Sequence, residues 1–155
     1  MEVIIEVSKD SNLKYEFDES RNKLILDRVL HNSNIFPYNY GFIPNTMAPD
    51  NDPIDIILLS RHSLIPGCLV KVRVIGIIRT DDEKGRDDKI ICVMENSVDK
   101  EFNDILDIDQ LPNETLNKIL YFLSHYKDGE ENKFINVGEV SNRDIALRFI
   151  EDHKI

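Results

Sequence analysis

Asp50, Asp52 and Asp55 fall within the seven residues Pro49-Asp50-Asn51-Asp52-Pro53-Ile54-Asp55, immediately ahead of the apolar run Ile56-Ile57-Leu58-Leu59. Such a run reads as a buried strand. Carboxylates crowded at a strand end repel one another and lose solvation, so the group is costly unless something neutralises it. A divalent cation does so, and an all-oxygen donor set suits Mg²⁺, Mn²⁺ or Ca²⁺. Pro53 keeps a helix from running through the acids and biases Asp52 toward extended backbone. In an extended segment Asp50 and Asp52 project to the same side. The plain alternative is a solvated acidic turn. An EF-hand loop does not fit, because that loop takes an oxygen ligand at its fifth position and glycine at its sixth, where this chain has Ile54 and Asp55.

Other chemistry-bearing side chains stand at element ends or on single faces. Val3, Ile5 and Val7 alternate with Ile4 and Glu6, a strand period that turns Glu6 away from the valine–isoleucine row. A second strand spans Leu13–Phe17, where Lys14 and Glu16 share the face opposite Leu13, Tyr15 and Phe17; a solvent-facing charge pair is the simpler reading there. After the turn Asp18–Asn22 a third strand, Lys23–Arg28, returns. Asp81–Asp88 forms a polar hairpin loop dense in acids, Asp82 and Asp87 among them, and Asp87 and Lys89 share a face as the next strand, Lys89–Met94, begins.

The remaining elements must position these groups. Phe36–Pro44 is aromatic-rich and bounded by prolines, hence extended chain or an edge strand. Asp55–Ser60 is a strand, and Cys68–Thr80 the longest one, with Gly76 marking a bend or bulge. Pro112 suits a first helical position, and Leu116, Ile119, Leu120 and Leu123 mark one helical face. The same wheel puts Lys127 within the apolar stripe and Tyr126 at its margin before Asp128-Gly129 ends the helix, so Lys127 either snorkels past the core edge or delivers charge to a site. Phe134–Val137 reads as a short strand, and Ser141-Asn142-Arg143-Asp144 resembles a capping box opening a last helix through about His153. Six or so strands followed by two helices make a small antiparallel barrel with helices packed outside.

Composition bounds the function. At 155 residues, with 41% hydrophobic and 31% charged content, the chain reads as one domain over 1–155 with a real core. A net charge of −10 argues against a general nucleic-acid or anionic-membrane binder. No apolar run approaches the ~20 residues a membrane span needs, and Met1–Glu6 has neither a basic region nor a cleavage-like site, so no secretory signal is expected. Cys68 and Cys92 lie in apolar surroundings and read as reduced core residues of a cytoplasmic protein. The four histidines are scattered and read as structural; no His/Cys group suggests zinc, and no Ser or Cys nucleophile has a matching His.

Gathered together, Glu6, Glu16, Asp50, Asp52, Asp55, Asp82 and Asp87 with Lys14, Arg28, Lys89 and Lys127 carry a formal −3, and Tyr40 and Tyr126 add phenols. If all lined one cleft, the bases could grip phosphate oxygens while the acids held metals. A tetra-anionic substrate such as pyrophosphate would bring the charge to about −7, calling for roughly three or four Mg²⁺.

The sequence resembles the soluble family I inorganic pyrophosphatases across nearly its whole length. The family pattern D-x-D-P-x-D followed by an apolar residue matches Asp50 through Ile56. Ile5-Glu6-Val7, Lys14-Tyr15-Glu16, Asp27-Arg28, Tyr38–Pro44, Asp82…Gly85…Asp87-x-Lys89 and His125–Asp128 extend the likeness, while Phe134 stands where the family often has Trp. The resemblance implies an α+β, mainly β fold: a five-stranded, OB-like antiparallel barrel flanked by two C-terminal helices. It implies Mg²⁺-dependent hydrolysis of pyrophosphate to two orthophosphates by metal-activated water, Mn²⁺ being an alternative metal, with Asp52 as general base. By the same likeness Asp50, Asp55 and Asp87 hold the first metals, Asp82 joins Asp87 for a further one, and Glu6 supports a metal that arrives with substrate. Lys14, Arg28, Tyr40, Lys89, Tyr126 and Lys127 hold the phosphates, Glu16 orients neighbouring cations, and the compact length favours a homo-oligomer, specifically a hexamer. Two rivals compete with this reading: a phosphohydrolase acting on nucleotides or another phosphoanhydride, and a non-enzymatic module binding divalent ions or anions.

Overall fold

The computed structural model describes residues 1–155. In chain order its elements are β1 (Glu2–Val7), β2 (Leu13–Asp18), β3 (Lys23–Val29), β4 (Asn39–Phe42), β5 (Asp55–Leu59), β6 (Leu69–Asp82), β7 (Gly85–Arg86), β8 (Lys89–Met94), a 3₁₀ turn at Ile108–Gln110, α1 (Asn113–His125), β9 (Ile135–Asn142) and α2 (Arg143–Asp152). Five strands close into a barrel in the order β1-β4-β5-β8-β6, with β1 pairing back onto β6. The barrel is antiparallel except at β5–β8, which run parallel with Asp55 opposite Lys89. Connectivity explains the exception: β6 lies beyond β8, so the strand that returns from β6 settles beside β5 in the same direction.

Both faces of these strands are buried. Ile56, Leu58, Ile90 and Cys92 pack with Ala146, Phe149 and Ile150 of α2. Their alternates Ile57, Leu59, Ile91 and Val93 pack with Ile119, Phe122 and Leu123 of α1. That double burial is why the two strands read as unbroken apolar runs. The bulge expected at Gly76 is present, as a register shift between Val74 and Gly76. A Cβ there would come within 2.7 Å of Ile108, so only glycine lets the 3₁₀ turn lie against β6.

Five local expectations change. β1 carries a bulge between Ile5 and Val7, so Val3 and Ile5 join the core beneath α2 while Val7 joins the core beneath α1. The single Val3/Ile5/Val7 row inferred from strict alternation is therefore broken at Glu6. The Phe36–Pro44 segment is not an edge: β4 lies between β1 and β5, which its prolines permit because both fall outside the paired residues. The short strand expected at Phe134–Val137 is the eight-residue β9, laid along the far half of β6. Ser141 consequently sits in that ladder opposite Ile77, and Asn142 is the N-cap of α2, accepting from the Ile145 amide at 3.1 Å. Pro112 likewise caps α1 rather than occupying its first turn.

β2 and β3 stand apart from the barrel as a two-stranded sheet. A lone hairpin is marginal in water. Its fixings to the barrel are few: Phe17 stacks on Phe42 with ring centroids 5.9 Å apart, and the Phe17 amide donates to Glu6 Oε2 at 2.7 Å.

Candidate active site

A cleft of about 290 Å³ opens between the barrel, the β2–β3 sheet and the turn after α1, and only four of its 19 lining residues are hydrophobic. Glu6, Lys14, Glu16, Arg28, Tyr40, Asp50, Asp52, Asp55, Asp82, Asp87, Tyr126 and Lys127 all line it. Lys89 does not reach its surface but lies fully buried in its floor, bonded to two of the lining carboxylates.

The acidic loop is a closed turn, not the extended segment expected. The Ala48 amide donates to Asp52 O at 2.7 Å and the Asn51 amide to Ala48 O at 2.9 Å, with Asn51 in the left-handed region at φ 70°. Asp50 Oδ1 accepts from the Asp52 amide at 3.1 Å, the asx-type closure that makes aspartate a natural turn residue. Thr46 anchors the loop from below, donating to Ile43 O and accepting from the Ile54 amide. The result separates the acids. Asp50 is half-buried, whereas the Asp52 side chain stays 59% exposed at the mouth, 3.4 Å from Lys84 Nζ.

In the floor, Asp55 and Lys89 begin the parallel strands β5 and β8 as register partners. Lys89 Nζ donates to Asp55 Oδ2 at 2.7 Å and to Asp87 Oδ2 at 2.6 Å, and Tyr40 Oη donates to Asp55 Oδ2 at 2.6 Å. Phe36 sits beneath both phenols, its ring 5.4 Å from that of Tyr40 and 6.2 Å from that of Tyr126. Tyr126 caps α1, and the helix ends at His125, so Lys127 lies in the following turn. Its Nζ reaches Asp82 at 3.0 Å and both Glu83 oxygens at 3.3 Å. Of the two readings of Lys127, delivery of charge into a cleft is the one the geometry matches.

Burial and crowding set the protonation pattern. Burial lifts the Glu6 carboxyl to about 8, against the pull of the Phe17 amide, with Asp55 adding repulsion. Burial and then the Asp55 charge lift Asp87 to about 8 despite its contact with Lys89. Asp50 is raised too, chiefly by burial. Burial also opposes ionisation of Asp55, but the Lys89 charge outweighs it and holds Asp55 below the ordinary carboxylate range. Lys89 itself is held well above its usual value, burial being overcome by Asp55, the two tyrosines and Asp87. One ammonium thus satisfies Asp55 and leaves Asp87, Glu6 and Asp50 short of positive charge.

That deficit is what hard cations relieve, and the surplus donors are all carboxylate oxygens, so the residues fit Mg²⁺ or Mn²⁺. No three of them converge tightly enough to cage an ion as they stand. Lys89 stands between Asp55 and Asp87, its ammonium bonded to one oxygen of each.

Asp27, Glu83, Lys84 and Lys133 also line the cleft and were not singled out from the sequence. Asp27 is the extra residue of a β2–β3 bulge, where Lys14 pairs with Arg28 but Tyr15 pairs with Leu26. Strict alternation would send Asp27 and Arg28 to opposite faces, so periodicity gives no warning of this. Glu83 and Lys84 form the tip joining β6 and β7, and only the acid density of that loop hinted at a role.

The family model for inorganic pyrophosphatase matches residues 3–154. The inorganic pyrophosphatase of Saccharolobus solfataricus is 44% identical over 135 residues, covering 87% of this chain and 78% of the relative. That of Helicobacter pylori is 41% identical over 149 residues, covering 96% of this chain and 86% of the relative. A solved structure of the Helicobacter pylori inorganic pyrophosphatase superposes with a TM-score of 0.97 at 40% identity, over 99% of this chain and 90% of that one. The chain belongs to the inorganic pyrophosphatase family.

Proposed function

We infer that this member of the inorganic pyrophosphatase family hydrolyses inorganic pyrophosphate to two orthophosphates with the aid of divalent cations, Mg²⁺ foremost and Mn²⁺ as an alternative. The observation that carries the inference is a cleft combining oxygen-only donors with cations from separate walls. Lys14 and Arg28 come from the β2–β3 sheet, Lys127 from the turn after α1, and Lys89 from the floor. Pure metal binding requires none of these cations. A nucleotide hydrolase would present an apolar base-stacking surface, and the cleft has little.

In this reading Asp50, Asp55 and Asp87, joined by Asp82 and Glu6, hold the metal ions. When bound, those ions supply Lewis acidity to water and to phosphate oxygens. Lys14, Arg28, Tyr40, Lys89, Tyr126 and Lys127 bind and orient the two phosphates, and Glu16, bonded to Lys14 at 2.7 Å, orients that cation. Asp52 is the general base. It stands outside the Asp55–Lys89–Asp87 network, so its carboxylate is available to accept a proton from water. Cationic side chains already fixed around the cleft then meet the charge that develops on the leaving phosphate.

The likeness that suggests this chemistry also suggests a cytoplasmic homo-oligomer, a hexamer in its commonest form. Two free thiols, Cys68 and Cys92, suit a reducing compartment, and no helix is long and apolar enough to cross a membrane. The deciding experiment is orthophosphate release from pyrophosphate with and without Mg²⁺, with ATP as competitor. Metal-dependent release from pyrophosphate alone is expected. Preference for ATP would replace the reading with a broader phosphohydrolase, and release from neither would leave a binding module.

A further inference from the structure

The β2–β3 sheet carries Lys14, Glu16 and Arg28 yet is not part of the barrel. Something must fix that wall relative to the wall that carries Lys127. Behind Arg28, outside the cleft lining, lies Glu130. Its Oε1 is 2.8 Å from Arg28 Nε, and the two side chains are 8% and 17% exposed. The N–H of Nε is not aimed at the carboxylate, and Glu130 Oε2 is buried without a hydrogen-bond partner. Charge therefore holds the pair together, and the carboxylate is only half satisfied. A buried carboxylate in that condition is costly, so helping the fold alone is a poor account of it.

Its backbone is tied to the turn that carries Lys127. The Glu130 amide donates to Lys127 O at 3.1 Å, making the two residues opposite ends of one turn. Just beyond β3, Asn32 Nδ2 donates to Asp128 O at 2.9 Å and Asn34 Nδ2 to His125 O at 3.2 Å, tying the same strand to the same turn. Arg28 has a second carboxylate neighbour in Asp27, but at 3.5 Å and on the more exposed side.

We propose that Glu130 is a positioning residue for Arg28. It locks the β2–β3 wall to the Lys127 turn, so that cations from two separate elements face the same phosphate. The proposal rests on reading Arg28 as a phosphate-binding group. Because it acts through a substrate contact made both before and during reaction, losing it weakens binding more than turnover.

A double-mutant cycle tests this. In Glu130→Gln, KM for pyrophosphate and the inhibition constant for orthophosphate are expected to rise on the order of tenfold, with kcat changed less than about threefold. In an Arg28→Ala background the same substitution is expected to change neither constant, since its effect passes through the missing guanidinium. If the Gln variant does not fold, Glu130→Asp, which keeps the charge but shortens its reach by one methylene, completes the same cycle. Equal shifts in both backgrounds, or unaltered KM and phosphate inhibition in the single variant, would overturn the positioning role. Failure of the wild-type protein to hydrolyse pyrophosphate would instead overturn the functional reading beneath it.

Discussion

Asp55 and Lys89 are register partners on the only parallel strand pair of the barrel, and a 2.7 Å bond joins their side chains in a site closed to solvent on the lysine side. A parallel pairing places the first residues of two strands side by side, so the carboxylate and the ammonium meet without any loop having to deliver either. Lys89 also spans to Asp87 at 2.6 Å. Removing it leaves two crowded acids in the floor with no counter-charge. Lys89→Met is therefore expected to destabilise the metal-free protein by about 3–5 kcal/mol, the usual cost of breaking a buried ion pair from one side. Urea unfolding without metal measures this, and added Mg²⁺ should recover part of the loss. A variant as stable as wild type would mean that the floor is neutralised by other means.

The raised carboxyls predict proton release on metal binding. With Glu6 and Asp87 both lifted to about 8, most of each population is protonated at pH 7 in the metal-free protein. Metals bind carboxylates, not carboxylic acids. Mg²⁺ added at pH 7 in weak buffer should acidify the solution by between one and two protons per chain, and by much less at pH 9. Calorimetry in buffers of differing ionisation enthalpy counts those protons. No release at pH 7 would show that neither group meets the metal.

The same shifts fix a stability profile. Glu6 and Asp87 bind protons more tightly folded than unfolded, so their contribution is complete below the unfolded values of 4.5 and 3.8 and is lost as pH rises to about 8. Asp55 and Asp82 are shifted the other way, burial being outweighed at Asp55 by Lys89 and at Asp82 by the hydrogen bond from Lys127. Their contribution is present above the unfolded value of 3.8 and is lost on acidification through their lower folded values. Metal-free protein should accordingly melt higher at pH 6 than at pH 8.5, and saturating Mg²⁺ should shrink or reverse that order. Thermal scans at the two pH values check this, and a higher Tm at pH 8.5 without metal would contradict it.

Phe36 links the core to the cleft. It is almost fully buried, touches Phe122 with ring centroids 4.7 Å apart, and supports Tyr40 and Tyr126 from below. Phe36→Ala should cost about 3–5 kcal/mol of stability, as large-to-small changes at buried aromatics do. Both phenols lose their support at once, so KM should rise more than in a Tyr40→Phe variant, which loses one hydroxyl. Steady-state kinetics at a temperature where both variants are folded make the comparison.

Much of this arrangement was legible in the residues. The acids around Asp50–Asp55, the Asp87/Lys89 face and the odd placement of Lys127 in an apolar stripe are visible in the sequence, and the fold brings them to one cleft and its floor. Periodicity failed where the backbone breaks its own period. Bulges at Glu6 and Asp27 turn side chains to faces that alternation assigns elsewhere, and the left-handed Asn51 folds back a loop that Pro53 alone made look extended. Glu130 gave no signal at all, because its importance lies in which residue it backs, a relation between β3 and a turn about a hundred positions later. The parallel β5–β8 pair was hidden for a related reason: strand patterns show which residues are buried, not which strand lies beside which.

Asp52 provides the sharpest separation between chemistry and structure. Its side chain is 59% exposed and its one partner is Lys84, 64% exposed and 3.4 Å away, a surface pair worth little to the fold. Asp52→Asn keeps the side chain's shape and leaves the Asp50–Asp52 turn closure, which uses the backbone amide of residue 52, in place. Tm and Mg²⁺ affinity should therefore stay near wild type, while kcat falls by about 10²–10⁴, the range for loss of a positioned general base. Lys84→Ala is the control, since it removes the exposed partner and keeps the Asp52 carboxylate, and its kcat should change only slightly. If the Asn variant turns over at the wild-type rate, the base lies elsewhere and the exposed carboxylate at the mouth has some other task. If Mg²⁺ affinity and kcat fall together, Asp52 is a metal ligand, and the separation of the acids by the Asn51 turn does not hold once cations bind.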